Sequence, residues 1–184
     1  MPHNTHMKNS NLLYQFLGKA VGLYLLWHLV YYYWIEPEGT VNHVLTYAVG
    51  YISCVMLQLF GYNSFISPFS DQITNLYVDN KHLVMIEHGC NGLVLMALFA
   101  GFVIAYPGPL KKKLWYVPLG IVAIYVINSL RVVALAFNQM LSKGTFDFNH
   151  KYTFTIVVYG AIFFFWMLWA NKLSGVGTQV ATKK

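Results

Sequence analysis

The sequence predicts an all-α integral membrane protein, a bundle of about five transmembrane helices with a short extracytoplasmic β-hairpin before the third helix. The first observation is composition, because 57% of the 184 residues are hydrophobic and only 10% are charged, against about 25% charged residues in a soluble domain. The second is the presence of several long apolar runs. The third is a turn-forming pair between two alternating stretches ahead of the third run. Together they indicate one membrane domain over residues 1–184.

Five apolar runs approach or exceed the ~17–25 residues needed to cross a bilayer. Only helices and closed barrels satisfy their backbone hydrogen bonds in lipid, and the runs do not alternate with period two, so helices are expected. The predicted spans follow a tail at 1–15 and lie near residues 16–34, 44–60, 91–106, 114–137 and 152–173. The third is the shortest and ends at the Pro-Gly-Pro of 107–109.

The orientation follows from the three consecutive lysines at 111–113, because cytoplasmic loops favour Lys and Arg. This loop and the C-terminus, which carries Lys183 and Lys184, are therefore expected inside, together with residues 35–42. The N-terminus and residues 61–89 and 138–151 are expected on the outer side. The protein is thus predicted to be a multi-pass protein of the cell inner (cytoplasmic) membrane.

The outer segment 61–89 is predicted to contain a hairpin. Asp79 and Asn80 form a turn signal between two stretches of alternating polarity. The apolar positions of these stretches are Leu76, Val78, Leu83 and Met85. A hairpin here leads directly into Cys90 and holds it at the membrane surface.

Polar side chains from three predicted helices arrive at one depth on the outer side. Cys90 begins the third span, and His150 lies just before the fifth. Arg131 follows Leu114 by seventeen residues, so it lies ~26 Å along the fourth helix, just below the outer boundary of a ~30 Å hydrocarbon core. An Arg within a span is a functional hypothesis by default.

The chemistry of this trio indicates acyl transfer. A thiolate is a nucleophile, and both a helix N-terminus and a nearby guanidinium favour it over the thiol. His150 is expected to carry the proton, with His88 as the alternative, and Arg131 to bind the oxyanion of a tetrahedral intermediate. Each residue also has an ordinary interpretation: a small apolar Cys, a snorkelling Arg, a solvated His. For Cys54, within an apolar run, packing is the better interpretation.

Three motifs carry a resemblance to a known family. They are EHGCNGL at 87–93, INSLRVVAL at 127–135 and FDFNHKYTF at 146–154. In order and topology they resemble the exosortase/archaeosortase family, polytopic membrane cysteine proteases/transpeptidases. The family pattern is a glutamate-led Cys motif at the head of one span, an Asn-x-x-Arg motif near the outer end of the next, and a His at the head of the third.

The resemblance implies a catalytic set of Cys90, Arg131 and His150, supported by four further residues: Glu87, Asn91, Asn128 and Asp147. The family commonly has Cys-Ser-Gly where this chain has Cys-Asn-Gly, and Asn91 can still supply a backbone N–H beside the nucleophile. Lys151 stands where the family has Asp, so Asp147 is the candidate to orient His150. Many members have about eight spans, which makes this chain a compact member.

The implied substrates are secreted proteins with a C-terminal recognition motif, a hydrophobic helix and a basic tail. Cleavage through a thioacyl-enzyme at the outer membrane face would be followed by transfer to a surface acceptor or to water. Membrane lipid is a further expected partner, whereas no cofactor, no metal and no nucleic acid are expected.

The alternative is a non-catalytic membrane protein. A haem- or metal-binding protein could use His82 and His88 beside Cys90, but no histidine pair has a specific ligand spacing. A transporter subunit would place polar residues along a midplane path, whereas here they gather at one face.

Overall fold

The computed structural model describes residues 3–70, 72–145 and 148–175. It is mostly helical (77%), with five helices and one three-stranded antiparallel sheet. The helices are α1 (His3–Val30), α2 (Thr40–Leu59), α3 (Leu93–Ala105), α4 (Leu110–Leu141) and α5 (Phe154–Leu168). The strands are β1 (Ser64–Ser70), β2 (Ile73–Val78) and β3 (Lys81–Glu87). Among the shorter turns are a 3₁₀ turn at His88–Cys90 and π-helical turns at Tyr31–Ile35, Asn149–Thr153 and Trp169–Leu173.

Three helical segments of the described chain are long and apolar enough to cross a membrane: α2, α4, and α5 with its flanking π-helical turns (Asn149–Leu173). α3 is apolar but only 13 residues long. α1 begins at His3, inside the predicted tail, and is not among the three because Gln15, Lys19 and His28 interrupt its apolar run. The expectation of about five spanning helices is therefore met only in part.

The molecule has two layers that share α4. The bundle layer consists of α3, α5 and residues 110–127 of α4. Its core is rich in aromatic rings: Met96, Phe99, Val103, Tyr116, Ile124, Val158, Ile162 and Trp169. The sheet layer consists of α2, the sheet and residues 128–141 of α4. Its core is aliphatic, with Val49, Cys54, Leu57, Leu76, Val78, Leu83, Val84, Ile86, Val132, Val133, Leu135 and Ala136.

The direction of α1 is opposite to the predicted one. The Phe16 ring packs edge-on against Phe102 at 5.5 Å and Tyr106 at 5.4 Å, measured between ring centroids. Both partners lie at the end of α3 that is followed in the chain by the lysines at 111–113, which belong to the first turn of α4 rather than to the predicted loop. The N-terminal half of α1 therefore lies on the lysine side, and the prediction of the N-terminus on the other side is wrong.

The connection at 35–42 likewise lies at the Cys90 end of the bundle rather than at the lysine end. Asn91 Nδ2 donates a hydrogen bond to Asn42 Oδ1 at 3.1 Å. From there α2 runs away from the bundle, and the Phe60 ring that follows it lies 6.0 Å from Phe137 of α4. The residues between the two helices include acidic Glu36 and Glu38 but no lysine or arginine. The preference of cytoplasmic loops for lysine and arginine therefore could not indicate on which side this connection lies.

α2 packs against β1 and β2, while α4 packs against β3. On its opposite side α2 exposes large apolar side chains along its whole length, among them Val44 (57%), Tyr51 (56%) and Leu59 (82%). This face agrees with a helix that is long and apolar enough to contact lipid.

The predicted hairpin is present as β2 and β3. Its two turn residues, Asp79 (φ 49°) and Asn80 (φ 62°), both have positive φ, as a two-residue type I′ turn requires. A bulge between the Leu76 and Tyr77 pairings leaves Leu83 as the extra residue of β3. It shifts the alternation, so Val84 and Ile86 are buried while Met85 is 45% exposed, contrary to the predicted pattern.

β1 was not predicted. Its sequence SFISPFS contains Pro68, which argues against a central strand because proline cannot donate to the ladder. β1 pairs only with β2 and is an edge strand of the sheet, where proline is tolerated.

Candidate active site

Cys90 and His150 are in direct contact. Cys90 Sγ lies 3.7 Å from His150 Nε2, although the two residues are separated by 60 positions in the sequence. Cys90 ends the 3₁₀ turn between β3 and α3, and His150 belongs to the π-helical turn Asn149–Thr153 that precedes α5. π-helical turns are often found at functional sites. The contact provides a thiol with a proton acceptor within hydrogen-bonding reach for sulfur.

The position of Cys90 differs from the prediction in one respect. α3 begins at Leu93 with Gly92 as its N-cap, so the thiol precedes the helix rather than occupying its first turn. The helix dipole acts mainly within the first turn of a helix. The neighbouring imidazole, rather than the helix dipole, is therefore the group that can take the thiol proton.

The backbone of Cys90 is fixed by Asn128, which is completely buried. Asn128 Nδ2 donates a hydrogen bond to the Cys90 carbonyl oxygen at 2.8 Å. Gly92 makes this approach possible for two reasons. Its φ of +83° is a backbone conformation that residues other than glycine rarely adopt, and a Cβ at this position would lie only 3.3 Å from Asn128 Nδ2. The glycine of the Cys-Asn-Gly motif thus has a structural explanation.

Asn91 links the start of α2 to the start of α3 through its side chain. Its side-chain Nδ2 donates to Asn42 Oδ1 at 3.1 Å, and its Oδ1 accepts the backbone N–H of Leu93 at 2.9 Å. Its backbone N–H, expected to face the reacting carbonyl, instead donates to the His88 carbonyl oxygen at 3.2 Å. That N–H is thus already engaged, so Asn91 positions the turn instead of offering an oxyanion donor.

A cavity of about 300 Å³ adjoins the thiol. Its lining comes from both layers and from the head of α5: His82, Leu83, Val84, Met85, Ile86, Glu87, Cys90, Arg131, Val132, Leu135, Gln139 and His150. The three predicted catalytic side chains thus line one cavity. Two buried polar atoms on its α4 side, Arg131 Nε and Gln139 Oε1, have no hydrogen-bond partner among the described residues. Such atoms are costly to bury, so they indicate a site that a polar ligand completes.

The supporting residues predicted from the sequence have different positions. Glu87 is exposed at the end of β3 and lines the cavity. Asn128 contacts the Cys90 backbone, as described above. His88 begins the 3₁₀ turn, and its carbonyl oxygen accepts the Asn91 N–H. Asp147 lies outside the described residues, as do Lys183 and Lys184.

Three residues near the site were missed from the sequence. Gln139 had a detectable signal, because it follows Arg131 by two helical turns and both are polar positions of one helix face. Asn42 and Thr46, which accept hydrogen bonds from Asn91 Nδ2, had none. They reach the site only through the unpredicted direction of α2.

Cys54 belongs to the core of the sheet layer. It is 5% exposed, and its Sγ donates to the Ser64 carbonyl oxygen at 3.2 Å. Both cysteines of the chain are free. Within the described part of the chain, no group of three or more His, Cys, Asp and Glu residues could hold a metal ion.

A larger apolar cavity of about 440 Å³ lies between α1 and α3. Its walls include Trp27 of α1, Tyr31 of the π-helical turn that follows α1, and Leu98 of α3. It has none of the three predicted catalytic side chains among its lining residues, so the smaller cavity at Cys90 is the candidate active site.

A family model described as transmembrane exosortase matches residues 12–172, a segment that contains the whole candidate site. No curated protein and no solved structure matches the chain.

Proposed function

Because the chain belongs to the transmembrane exosortase family, we propose that it is a membrane cysteine protease/transpeptidase that cleaves the C-terminal sorting signal of secreted proteins. The carrying observation is the 3.7 Å contact between Cys90 Sγ and His150 Nε2 beside a cavity open to a substrate. Family membership supports the class of enzyme, and the contact supports the choice of nucleophile and base.

The reaction begins with transfer of the Cys90 thiol proton to His150 Nε2. The thiolate attacks the carbonyl carbon of the scissile peptide bond, forming a C–S bond and a tetrahedral oxyanion. As the intermediate collapses, the C–N bond breaks and His150 returns the proton to the departing amine. The products of this half-reaction are a thioacyl-enzyme and the released C-terminal tail.

Arg131 is the proposed oxyanion donor. It lines the cavity with Cys90 and His150, and its buried Nε has no partner within the described residues. A guanidinium stays charged and offers donors in a fixed planar geometry, which suits a localised negative charge. Asn128 is a positioning residue, because it holds the Cys90 carbonyl and lies one helical turn before Arg131.

The second half-reaction releases the secreted protein from Cys90. An amine of a surface acceptor attacks the thioester carbonyl, His150 takes the proton of the amine, and the thiolate leaves. With water in place of the amine, the same steps give a hydrolase. His150 can carry the proton for either acceptor.

The site is proposed to open on the outer side of the cell inner membrane. The lysines at 111–113, in the first turn of α4, and the thiol lie at opposite ends of the bundle layer, and lysine is favoured at the cytoplasmic end of a span. The substrate's hydrophobic helix would cross the bilayer beside the bundle, with its basic end inside. Its scissile bond would then meet Cys90 at the outer boundary.

The test compares two cysteine variants in cells that also express a secreted reporter with a C-terminal helix and basic end. Cys90→Ala is expected to abolish release of the tail, because no other thiol lines the cavity. Cys54→Ala, the matched control in the core of the sheet layer, is expected to process the reporter. Mass spectrometry of the reporter locates the cleavage and identifies any acceptor.

The same variants test the orientation. A membrane-impermeant maleimide added to intact cells should label the wild type and Cys54→Ala but not Cys90→Ala, since Cys54 is 5% exposed. Processing by Cys90→Ala would refute the assignment of the nucleophile. Labelling only after the membrane is permeabilised would place the site in the cytoplasm.

A further inference from the structure

The sheet ends in a strand that leads straight to the nucleophile. The strand order is β1-β2-β3, so among the described residues β3 has a strand partner on one side only. β3 ends at Glu87, and Cys90 ends the 3₁₀ turn that follows. The unpaired edge of β3 therefore ends three residues before the thiol in the chain.

The register of the hairpin identifies the backbone groups on this edge. In a two-residue type I′ hairpin the residues flanking the turn, here Val78 and Lys81, form a hydrogen-bonded pair. Along an antiparallel ladder such pairs alternate with pairs whose N–H and C=O groups point outward. Counting along β2 from Val78, the pairs Asn75–Met85 and Ile73–Glu87 are non-hydrogen-bonded pairs. Their backbone groups consequently face the free edge.

This edge forms one wall of the active-site cavity. The lining includes all residues from 82 to 87 of β3. The facing part of α4 contributes Arg131, Leu135 and Gln139, which recur every four residues and so lie on one helix face. His150 contributes to the lining at the Cys90 end. The cavity is thus a groove between a strand edge and a helix face.

The polar atoms along the groove are suited to a peptide backbone. The outward N–H and C=O groups of β3 can pair with an added strand, as in β-strand addition. On the facing helix, Gln139 Oε1 can accept a backbone N–H, and it is buried and unpaired in the described chain. All of these groups recognise backbone rather than a particular side chain.

We propose that the substrate residues immediately preceding the scissile bond bind in this groove as a fourth strand, parallel to β3. This inference rests on the proposed function. The occupant is an extended peptide segment held by its backbone, and the side chains of Met85 and Leu135 contribute contacts that are tolerant of sequence.

The parallel direction follows from the arrangement of the layers. β3 runs from the sheet layer toward Cys90, where the bundle layer begins. A substrate whose secreted part lies outside and whose tail enters the bilayer must run the same way. An antiparallel strand would place the residues after the scissile bond along the sheet, away from the bundle that faces lipid.

The first test uses Met85→Pro, with Met85→Ala as its matched control. Proline removes an edge N–H without removing a hydrogen bond to β2, and prolines are tolerated on strand edges. Its ring also obstructs an incoming strand. Met85→Ala keeps the N–H and so measures the contribution of the side chain alone, and loss of one or two backbone hydrogen bonds is expected to place the kcat/KM of Met85→Pro about tenfold below that of Met85→Ala. Equal activity of Met85→Pro and Met85→Ala would overturn the inference.

The second test is disulfide trapping, which stands even if Met85→Pro does not fold. Met85→Cys is combined with Cys54→Ala and Cys90→Ala and paired with substrates that carry one cysteine each. Cross-links are expected at alternate substrate positions before the scissile bond, because side chains alternate along a strand. Cross-links only at positions after the bond, or without alternation, would refute a parallel fourth strand. A wild-type enzyme that processes no reporter would instead refute the proposed function.

Discussion

The two halves of α4 differ in what covers them. From Leu110 to Leu130 the helix exposes a stripe of large apolar side chains, which includes Leu114, Leu119, Val122 and Val126. From residue 131 to residue 140 every side chain is buried or half-buried, since α2 and β3 pack over this half. The exposed stripe is about 30 Å long at the helical rise, which equals the thickness of a hydrocarbon core.

The change from an exposed to a covered helix coincides with the site. Asn128 and Arg131 lie where the stripe ends, and Cys90 lies where the sheet layer joins the bundle layer. His150 stands at the head of α5. The candidate active site therefore lies at the junction of the two layers, with the hairpin on one side and the bundle layer on the other. We therefore expect substitutions at the junction to change catalysis and substitutions in the two cores to change stability.

The largest effect is expected at His150. His150→Ala removes the group that takes the thiol proton and protonates the departing amine, and loss of a general acid/base costs about 10²–10⁴-fold in rate. The measurement is single-turnover cleavage of a tail-bearing substrate in membranes. His88→Ala, in the turn just before Cys90, is the matched control and should retain most of the rate. The reverse result would assign the proton transfers to His88 despite the 3.7 Å contact of His150.

The next effect is expected at Arg131. Arg131→Lys keeps the positive charge and can still snorkel to the interface, but it loses the planar set of donors. If Arg131 binds the oxyanion, the rate should fall about 10²–10³-fold with the protein still inserted. The measurement is kcat at saturating substrate, with membrane fractionation to check insertion. An Arg131→Lys enzyme with full activity would reduce this residue to an anchor of α4 and weaken the view of the junction as a catalytic centre.

Much of the site could be predicted because its chemistry is rare in a membrane. An arginine at Arg131 within an apolar run, a Cys and a His at the heads of two other runs, and a turn-forming Asp79-Asn80 pair are all local signals. They can be interpreted from residue spacing alone, because the helix rise, the bilayer thickness and the residue preferences of tight turns are known in advance. The hairpin and the common cavity of the three side chains agree with those signals.

The path of α1 and α2 could not be predicted in the same way. Alternating spans were assumed, but a glycine in the left-handed conformation, Gly39 (φ 73°), separates two helices that do not return along each other. No lysine or arginine lies in that connection to indicate its side. The hydrogen bonds of Asn42 and Thr46 to Asn91, and the pairing of β1 with β2, are long-range consequences of that path.

The smallest effect on activity, but a clear one on stability, is expected from alanine at two buried helix glycines. In the bundle layer, a Cβ at Gly120 would overlap two ring atoms of Phe99, a side chain that is 0% exposed. In the sheet layer, a Cβ at Gly50 would lie 3.2 Å from the Thr74 methyl group. The first clash requires an aromatic ring to move, whereas the second needs a shift of a few tenths of an ångström.

Gly120→Ala should therefore lower the free energy of unfolding by about 1–3 kcal/mol, the usual range for an overpacked core. Gly50→Ala should be nearly neutral, because the strain of the close contact is offset by the better helix propensity of alanine, up to about 1 kcal/mol. Thermal unfolding in detergent compares the two, and kcat of the folded fraction should change little because neither glycine lines the active-site cavity. The difference arises from local packing, because the buried Phe99 ring must move to admit a Cβ at Gly120, whereas the Thr74 methyl group needs only a small shift to admit one at Gly50. Equal destabilisation by both substitutions would show that the two cores respond alike, and it would confine the difference between the layers to their surfaces.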